Sequence, residues 1–160
     1  LFVYFARGFF VLGVGDRFDR GGEMTLSSEI KTVLQANAPL MAILTGGIFC
    51  DVEEISRQNT AAAFDTNREI KPSALIKLGV ETKRGPFLRS VQTPLTIYFY
   101  ERQGYANIAS AMVMAYNLLN DAQVGTGVWE LTYDVSVSQQ RDTALDCALG
   151  SLRFVAVRLR

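Results

Sequence analysis

The stretch from Leu95 to Val137 limits the fold most, because the period of its apolar residues changes twice. Leu95-Thr96-Ile97-Tyr98-Phe99-Tyr100 has the character of a strand. From Tyr105 to Asn120 the spacing becomes helical, with Ile108, Ala111, Met112, Ala115, Leu118 and Leu119 on one face. From Trp129 the period is two: Trp129, Leu131, Tyr133, Val135 and Val137 alternate with Glu130, Thr132, Asp134 and Ser136. The first set is expected in a core and the second towards water or a partner. A helix with one apolar stripe, set between strands with one apolar face each, packs on the sheet they form. The pattern predicts an α+β fold: one mixed or mainly antiparallel β-sheet with helices packed on one face.

The flanking segments read as additions to that layer. Thr25, Ser27 and Ser28 offer cap oxygens to a helix with Glu29 in its first turn and Ile30, Val33 and Leu34 on its apolar face. Asn37 can cap a second short helix, Leu40 to Leu44, with Pro39 in its first turn and Gly46-Gly47 as its stop. Ile48 to Val52 suits a short strand. Glu53 to Pro72 is polar and mixed without a sustained period, which predicts a long surface loop.

Strand spacing returns at Ala74 to Glu81, with Ile76, Leu78 and Val80 on one side, and Glu81 to Pro86 reads as a hairpin tip. The chain comes back through Leu88, Val91, Leu95, Ile97 and Phe99. Pro94 has no amide to donate, so this strand is expected at an edge there, or to begin just after it. Gln123 to Gly127 reads as a turn, Ser138 to Asp142 as a polar segment, and Leu152 to Leu159 as the last strand.

A chain of 160 residues is long enough to bury a core as one domain. Leu1 to Val14 is apolar, but Arg7 splits it and no small-residue cleavage site follows, unlike a signal peptide. It is also shorter than the roughly 20 residues a spanning helix requires. Arg20-Gly21-Gly22-Glu23 stands directly before Met24, and its codons can spell a ribosome-binding site. Residues 1–23 are therefore expected to be a translated leader or a disordered extension, with the α+β domain over 24–160.

Sixteen acids balance sixteen bases, which argues against specific nucleic-acid recognition. The absence of histidine excludes a Ser-His-Asp or Cys-His triad, a His-ligated zinc and a His general base. Cys50 and Cys147 lie far apart in no metal-ligand spacing and read as buried thiols. Leu12 to Asp16 and Gly125 to Gly127 lack the glycine spacing and the following helix of a phosphate loop. Asp51, Glu53, Glu54 and Asp65 sit in a polar loop without an apolar pocket to perturb them. Tyr98, Tyr100, Tyr105 and Tyr116 have no basic residues on their rows, so packing explains them better than base stacking. No catalytic, metal or cofactor site is expected, and the chain does not read as an enzyme.

The order of short phrases carries a resemblance. A capped helix leads into Ala38-Pro39-Leu40-Met41-Ala42-Ile43-Leu44-Thr45-Gly46-Gly47-Ile48. Pro72-Ser73-Ala74-Leu75-Ile76-Lys77-Leu78-Gly79 follows a variable loop, then Leu95 to Arg102, then Tyr105-Ala106-Asn107-Ile108 opening a helix. Leu152-Arg153-Phe154-Val155-Ala156-Val157-Arg158 closes the chain. From Ala38 to Arg160 this resembles the tail terminator (tail completion) proteins of long-tailed bacteriophages and prophages. The loop from Glu53 to Lys71 departs from the pattern.

The resemblance implies a small virion subunit, assembled in the host bacterial cytoplasm, that joins copies of itself in a ring, commonly six-membered. Such a ring caps the tail tube, halts polymerisation of the tube protein and provides the surface for a head–tail connector or head-closure protein. It implies no membrane and no cofactor. Exposure and reach single out Lys83, Arg84 and Arg89 of the hairpin, and Glu53, Glu54 and Arg57 of the long loop, as interface residues. Two other readings stay open: a small cytosolic α+β ligand-binding or regulatory domain, and a related neck or head-closure subunit.

Overall fold

A computed structural model describes residues 25–85, 90–125 and 128–159. The expected leader, Arg89 and the Thr126-Gly127 part of the expected turn lie outside those residues. Two helices come first, α1 (Leu26–Gln35) and α2 (Ala38–Ile43). The Thr25 hydroxyl accepts from the Ser28 amide at the start of α1, and Asn37 Oδ1 accepts from the Leu40 amide at 2.9 Å at the start of α2. Each cap satisfies a donor that a helix N-terminus leaves open. The strands β1 (Gly47–Phe49), β2 (Ser73–Leu78), β3 (Thr82–Lys83) and β4 (Ser90–Glu101) follow. Then come α3 (Ala106–Leu119), β5 (Gln123–Val124), β6 (Trp129–Asp142) and β7 (Cys147–Leu159).

The strands form one mixed sheet in the order β1-β2-β4-β7-β6-β5, with β3 pairing β4. Only β1 and β2 run parallel among the described pairs; the rest are antiparallel. The fold is α+β, with all three helices on one face. Against that helix face lie Ile76, Leu95, Ile97, Phe99, Leu131, Leu152 and Phe154, buried together with Ile30, Leu34, Leu40, Ile108, Met112 and Leu119 of the helices. A fully buried side chain of this kind contributes about 1.5–3 kcal/mol.

Pro94 does not mark an edge. It sits inside β4, which is paired along its length with β7. On its other side β2 ends at Leu78 opposite Leu95, and β3 resumes only at Thr82 opposite Gln92. The Gly79 amide donates to the Pro94 carbonyl at 2.7 Å, and the return bond, which a proline cannot give, falls in the gap between β2 and β3. A proline is tolerated in a central strand because its neighbour changes there.

The expected alternation through Val137 is also broken. The β6–β7 register slips between Tyr133 and Val135, so Ser136 pairs with buried Leu152 while Val135 and Val137 pair with Arg153 and Ser151. This bulge turns Val135 and Val137 to the outer face, where they are 39% and 40% exposed. Ser138 to Asp142 continues β6 instead of forming a separate polar segment, and β7 begins at Cys147, five residues before Leu152. Leu78 and Val80 fall at the end of and beyond β2 and are exposed.

The loop from Glu53 to Pro72 is more than surface. Ile55, Ala63 and Ile70 are buried on the outer face with Leu75, Tyr100 and Cys147. A 3₁₀ turn at Ala61–Ala63 and a bridge between Phe64 and Ile70 shape it. It covers the β1–β2–β4 side of the outer face, and β1 stops at Phe49 to let it begin. Cys147 is buried as expected, whereas Cys50 is only half-buried, its thiol donating to Asp51 at 3.2 Å.

Candidate assembly surfaces

Two concave features stand out, and both arise where secondary-structure elements end. The first is a polar cleft of about 450 Å³ at the tip of the β6–β7 hairpin. The long loop, the turn after β4 and the hairpin tip bring Arg57, Arg68, Arg102 and Arg141 to its walls. Arg102 pairs with Glu69, and Arg141 with Asp146. The Asp146 contact raises the pKa of Arg141 further, so this guanidinium stays charged. Arg57 donates twice to the Arg68 carbonyl, at 3.2 and 3.1 Å, and lies 5.5 Å over the Phe64 ring. Two of the four arginines are thus paired with acids, and the cleft keeps a basic excess from Arg57 and Arg68.

The second feature is a groove of about 440 Å³ between α3 and the β6 side of the sheet. Ala109, Met112, Val113 and Tyr116 form one wall; Tyr133, Ser136, Ser138 and Leu152 form the other. None of them is charged. Val113 is 60% exposed and Tyr116 is 37% exposed, and the Tyr116 ring meets Tyr133 edge-on at 5.1 Å. Among the described residues β6 is the edge of the sheet along this groove. Its short partner β5 reaches only Trp129 and Glu130.

Buried titratable groups serve the core. Burial pushes the Cys147 thiol up to about 11, with Asp142 adding to the rise. Burial likewise raises the Tyr100 phenol and, with the bond to Asp51, the Cys50 thiol. Raised thiols are poor nucleophiles at neutral pH. Among the described residues no cluster of three or more Cys, Asp or Glu side chains is placed to hold a metal ion. No described helix is long and apolar enough to cross a membrane.

The six residues singled out from sequence fall into separate places. Lys83 lies in β3 opposite Val91, and Arg84 follows it, its amide donating to the Ser90 carbonyl at 3.0 Å; both are exposed. Arg89 is outside the described residues. Glu53 and Glu54 are exposed in the long loop, where the Glu53 carbonyl accepts from the Lys77 ammonium at 2.7 Å. Glu54 and Arg57 share a smaller cleft with Tyr100. Along β4 the basic pair lies by Ser90 and Val91, whereas Glu53 is held by Lys77, which faces Thr96, and Glu54 lies by Tyr100, so the two pairs are apart. Arg57 packs on its own loop and does not extend outward.

The groove was missed in the sequence, although a signal was present. The α3 sequence Ala106-Asn107-Ile108-Ala109-Ser110-Ala111-Met112-Val113-Met114-Ala115-Tyr116-Asn117-Leu118-Leu119 has no charge on any side. A helix apolar beyond its core stripe has a second surface to cover. The arginine cleft had no local signal, because its members come from three distant segments.

No family model matches this chain, and neither does any curated protein. Among solved structures, a chain of "Virion of native gene transfer agent (GTA) particle" is similar, with a TM-score of 0.60 and 16% identity over 85% of this chain and 96% of that one. At that identity the likeness shows a shared fold, and it runs through nearly the whole of the other chain.

Proposed function

We propose that the chain is a structural subunit of a phage-like virion. It forms a ring that closes the tail tube, ends tube polymerisation and presents the surface that joins the head. The observation that carries this reading is the shared fold with a gene transfer agent virion chain, spanning 96% of that chain. The phrase order from Ala38 to Arg160, which resembles tail terminators, supports the finer assignment.

A ring closes through contacts between two different patches on each subunit. The exposed bases Lys83 and Arg84, with Arg89 nearby in sequence, and the exposed acids Glu53 and Glu54 suit such a contact: opposite in sign and on separate parts of the surface. The basic patch of one copy meets the acidic patch of the next, with Arg57 holding the acidic loop in shape. The ring partners are further copies of the chain, the tube protein on one side and a connector or head-closure protein on the other. The role is non-enzymatic and belongs to the tail or neck of the particle.

Purified tube protein polymerised with and without the chain tests this by electron microscopy. Tubes that stop growing and carry a ring at one end support it. Binding to a connector protein but not to tubes favours the related neck or head-closure subunit instead.

A further inference from the structure

Beyond its pairing with β5 at Trp129 and Glu130, the outer edge of β6 meets residues from the two ends of α3, and no described strand between them. At one end the Leu131 amide donates to the Ala122 carbonyl at 2.9 Å, and the Tyr133 amide donates to Asn120, the C-cap of α3, at 3.3 Å. At the other end the Tyr105 hydroxyl, from the N-cap of α3, donates to the Gln140 carbonyl at 2.7 Å. Between these points Asp134 to Gln139 are all exposed, and no described strand pairs with them on this side. Six residues of strand span about 20 Å, the length of α3 lying above them.

A bare sheet edge offers a row of backbone donors and acceptors to another strand, and proteins commonly guard it with lysine or proline. Asp134 to Gln139 contains neither; its one charge, Asp134, is paired with Arg153 of β7, and Val135 to Gln139 carry none. The two register shifts in β6 bend this edge without closing it. Beside it runs the uncharged groove under Val113 and Tyr116. Backbone pairing and an adjoining apolar slot are the two halves of strand-addition recognition: the first supplies hydrogen bonds, the second reads alternate side chains.

We infer that the β6 edge and the α3 groove together bind an extended segment of a partner protein, with uncharged aliphatic side chains at alternate positions. The incoming segment lies beside Asp134 to Gln139 as a further strand. Its aliphatic side chains enter the groove against Met112, Val113 and Tyr116, where the absence of charge excludes ionised side chains. A second β6 is a poorer occupant. A two-fold pairing of copies sets groove against groove, and β6 itself turns Ser136 and Ser138 to that side, too small to fill it. This site does not depend on the ring reading and stands if that reading fails.

The probe is the peptide acetyl-Lys-Thr-Val-Thr-Val-Thr-Val-Thr-Lys-amide, compared with the same peptide N-methylated at every valine and threonine, which removes the amide donors of both strand edges. Hydrogen exchange of the full chain is followed across 134–139, and affinity by fluorescence anisotropy. The expected result is slowed exchange at this edge with the first peptide and none with the second. Val113→Asp, at an exposed helix position, should weaken binding about tenfold or more while leaving the unfolding midpoint unchanged. Equal binding of the methylated peptide, or an edge that stays unprotected at millimolar peptide, would overturn the proposal. Protection that follows protein concentration without peptide would also overturn it, by assigning the edge to a second copy.

Discussion

Gly150 of β7 lies directly beneath Ile108 of α3: a Cβ at Gly150 would stand 2.5 Å from Cγ2 of Ile108, and 2.8 Å from Sδ of Met112. Helix and sheet approach here as closely as a missing side chain allows, which fixes the height of α3 over the core and the depth of the groove beside it. Gly150→Ala forces that contact open. Overpacking of this kind costs about 1–3 kcal/mol. Urea denaturation of the variant should show that loss, and an unchanged midpoint would mean that α3 sits less tightly than the geometry states.

The long loop is held by its own small core, so it should fail as a unit. Ile70→Ala removes a buried side chain that packs with Leu75, Tyr100 and Cys147. The expected cost is about 2–5 kcal/mol in urea denaturation. Cys147 should at the same time become reactive towards a thiol reagent that labels only Cys50 in the parent. Retained stability and a silent Cys147 would show that the loop merely rests on the sheet.

Stability should fall with rising pH on the alkaline side. The Cys147 thiol is held up to about 11 in the folded chain, against 9.0 for an ordinary thiol, mainly by burial. Folded protein therefore keeps a proton that the unfolded chain loses. The contribution is complete below about pH 9 and is lost as pH rises from 9 to 11. Cys50 acts in the same direction, and the raised Tyr100 phenol adds to the fall once ordinary phenols ionise, above pH 10. Urea midpoints measured from pH 8 to pH 11 should decline. In Cys147→Ala the decline should be shallower in the first part of that window. A parallel decline in both proteins would remove Cys147 as a cause.

Charge reversal tests the proposed ring contact. Lys83→Glu with Arg84→Glu should weaken self-association while leaving the unfolding midpoint within about 0.5 kcal/mol, because both side chains are exposed. Adding Glu53→Lys and Glu54→Lys should restore it, since the patches would again be opposite in sign. The loss should shrink as salt rises and screens the contact. Light scattering reads all three results, and failure of the second pair to rescue would dissolve the pairing of these patches.

Much of the fold was written locally. Thr25 and Asn37 cap helices because short side-chain oxygens reach open amides, and the stripe Ile108, Ala111, Met112, Ala115 and Leu119 buries as its spacing requires. What escaped depends on partners distant in sequence. Pro94 is tolerated in a central strand only because β2 ends and β3 has not begun beside it. Val135 and Val137 leave the core face because a bulge resets the phase, which no alternation of residues announces. Ile55, Ala63 and Ile70 show no period, yet they meet on the outer face through the turns between them. For the assembly surfaces, the exposure of Lys83, Arg84, Glu53 and Glu54 was legible, while the β6 edge emerged only once β5 proved too short to cover it.

The proposed docking of this chain to copies of itself and to a tube sets a limit on tube length. Tube protein polymerised alone and with increasing amounts of the chain should give tubes of falling mean length, each ended by a ring when imaged by electron microscopy. Tubes that lengthen equally in both cases, with the chain remaining monomeric in solution, would contradict it.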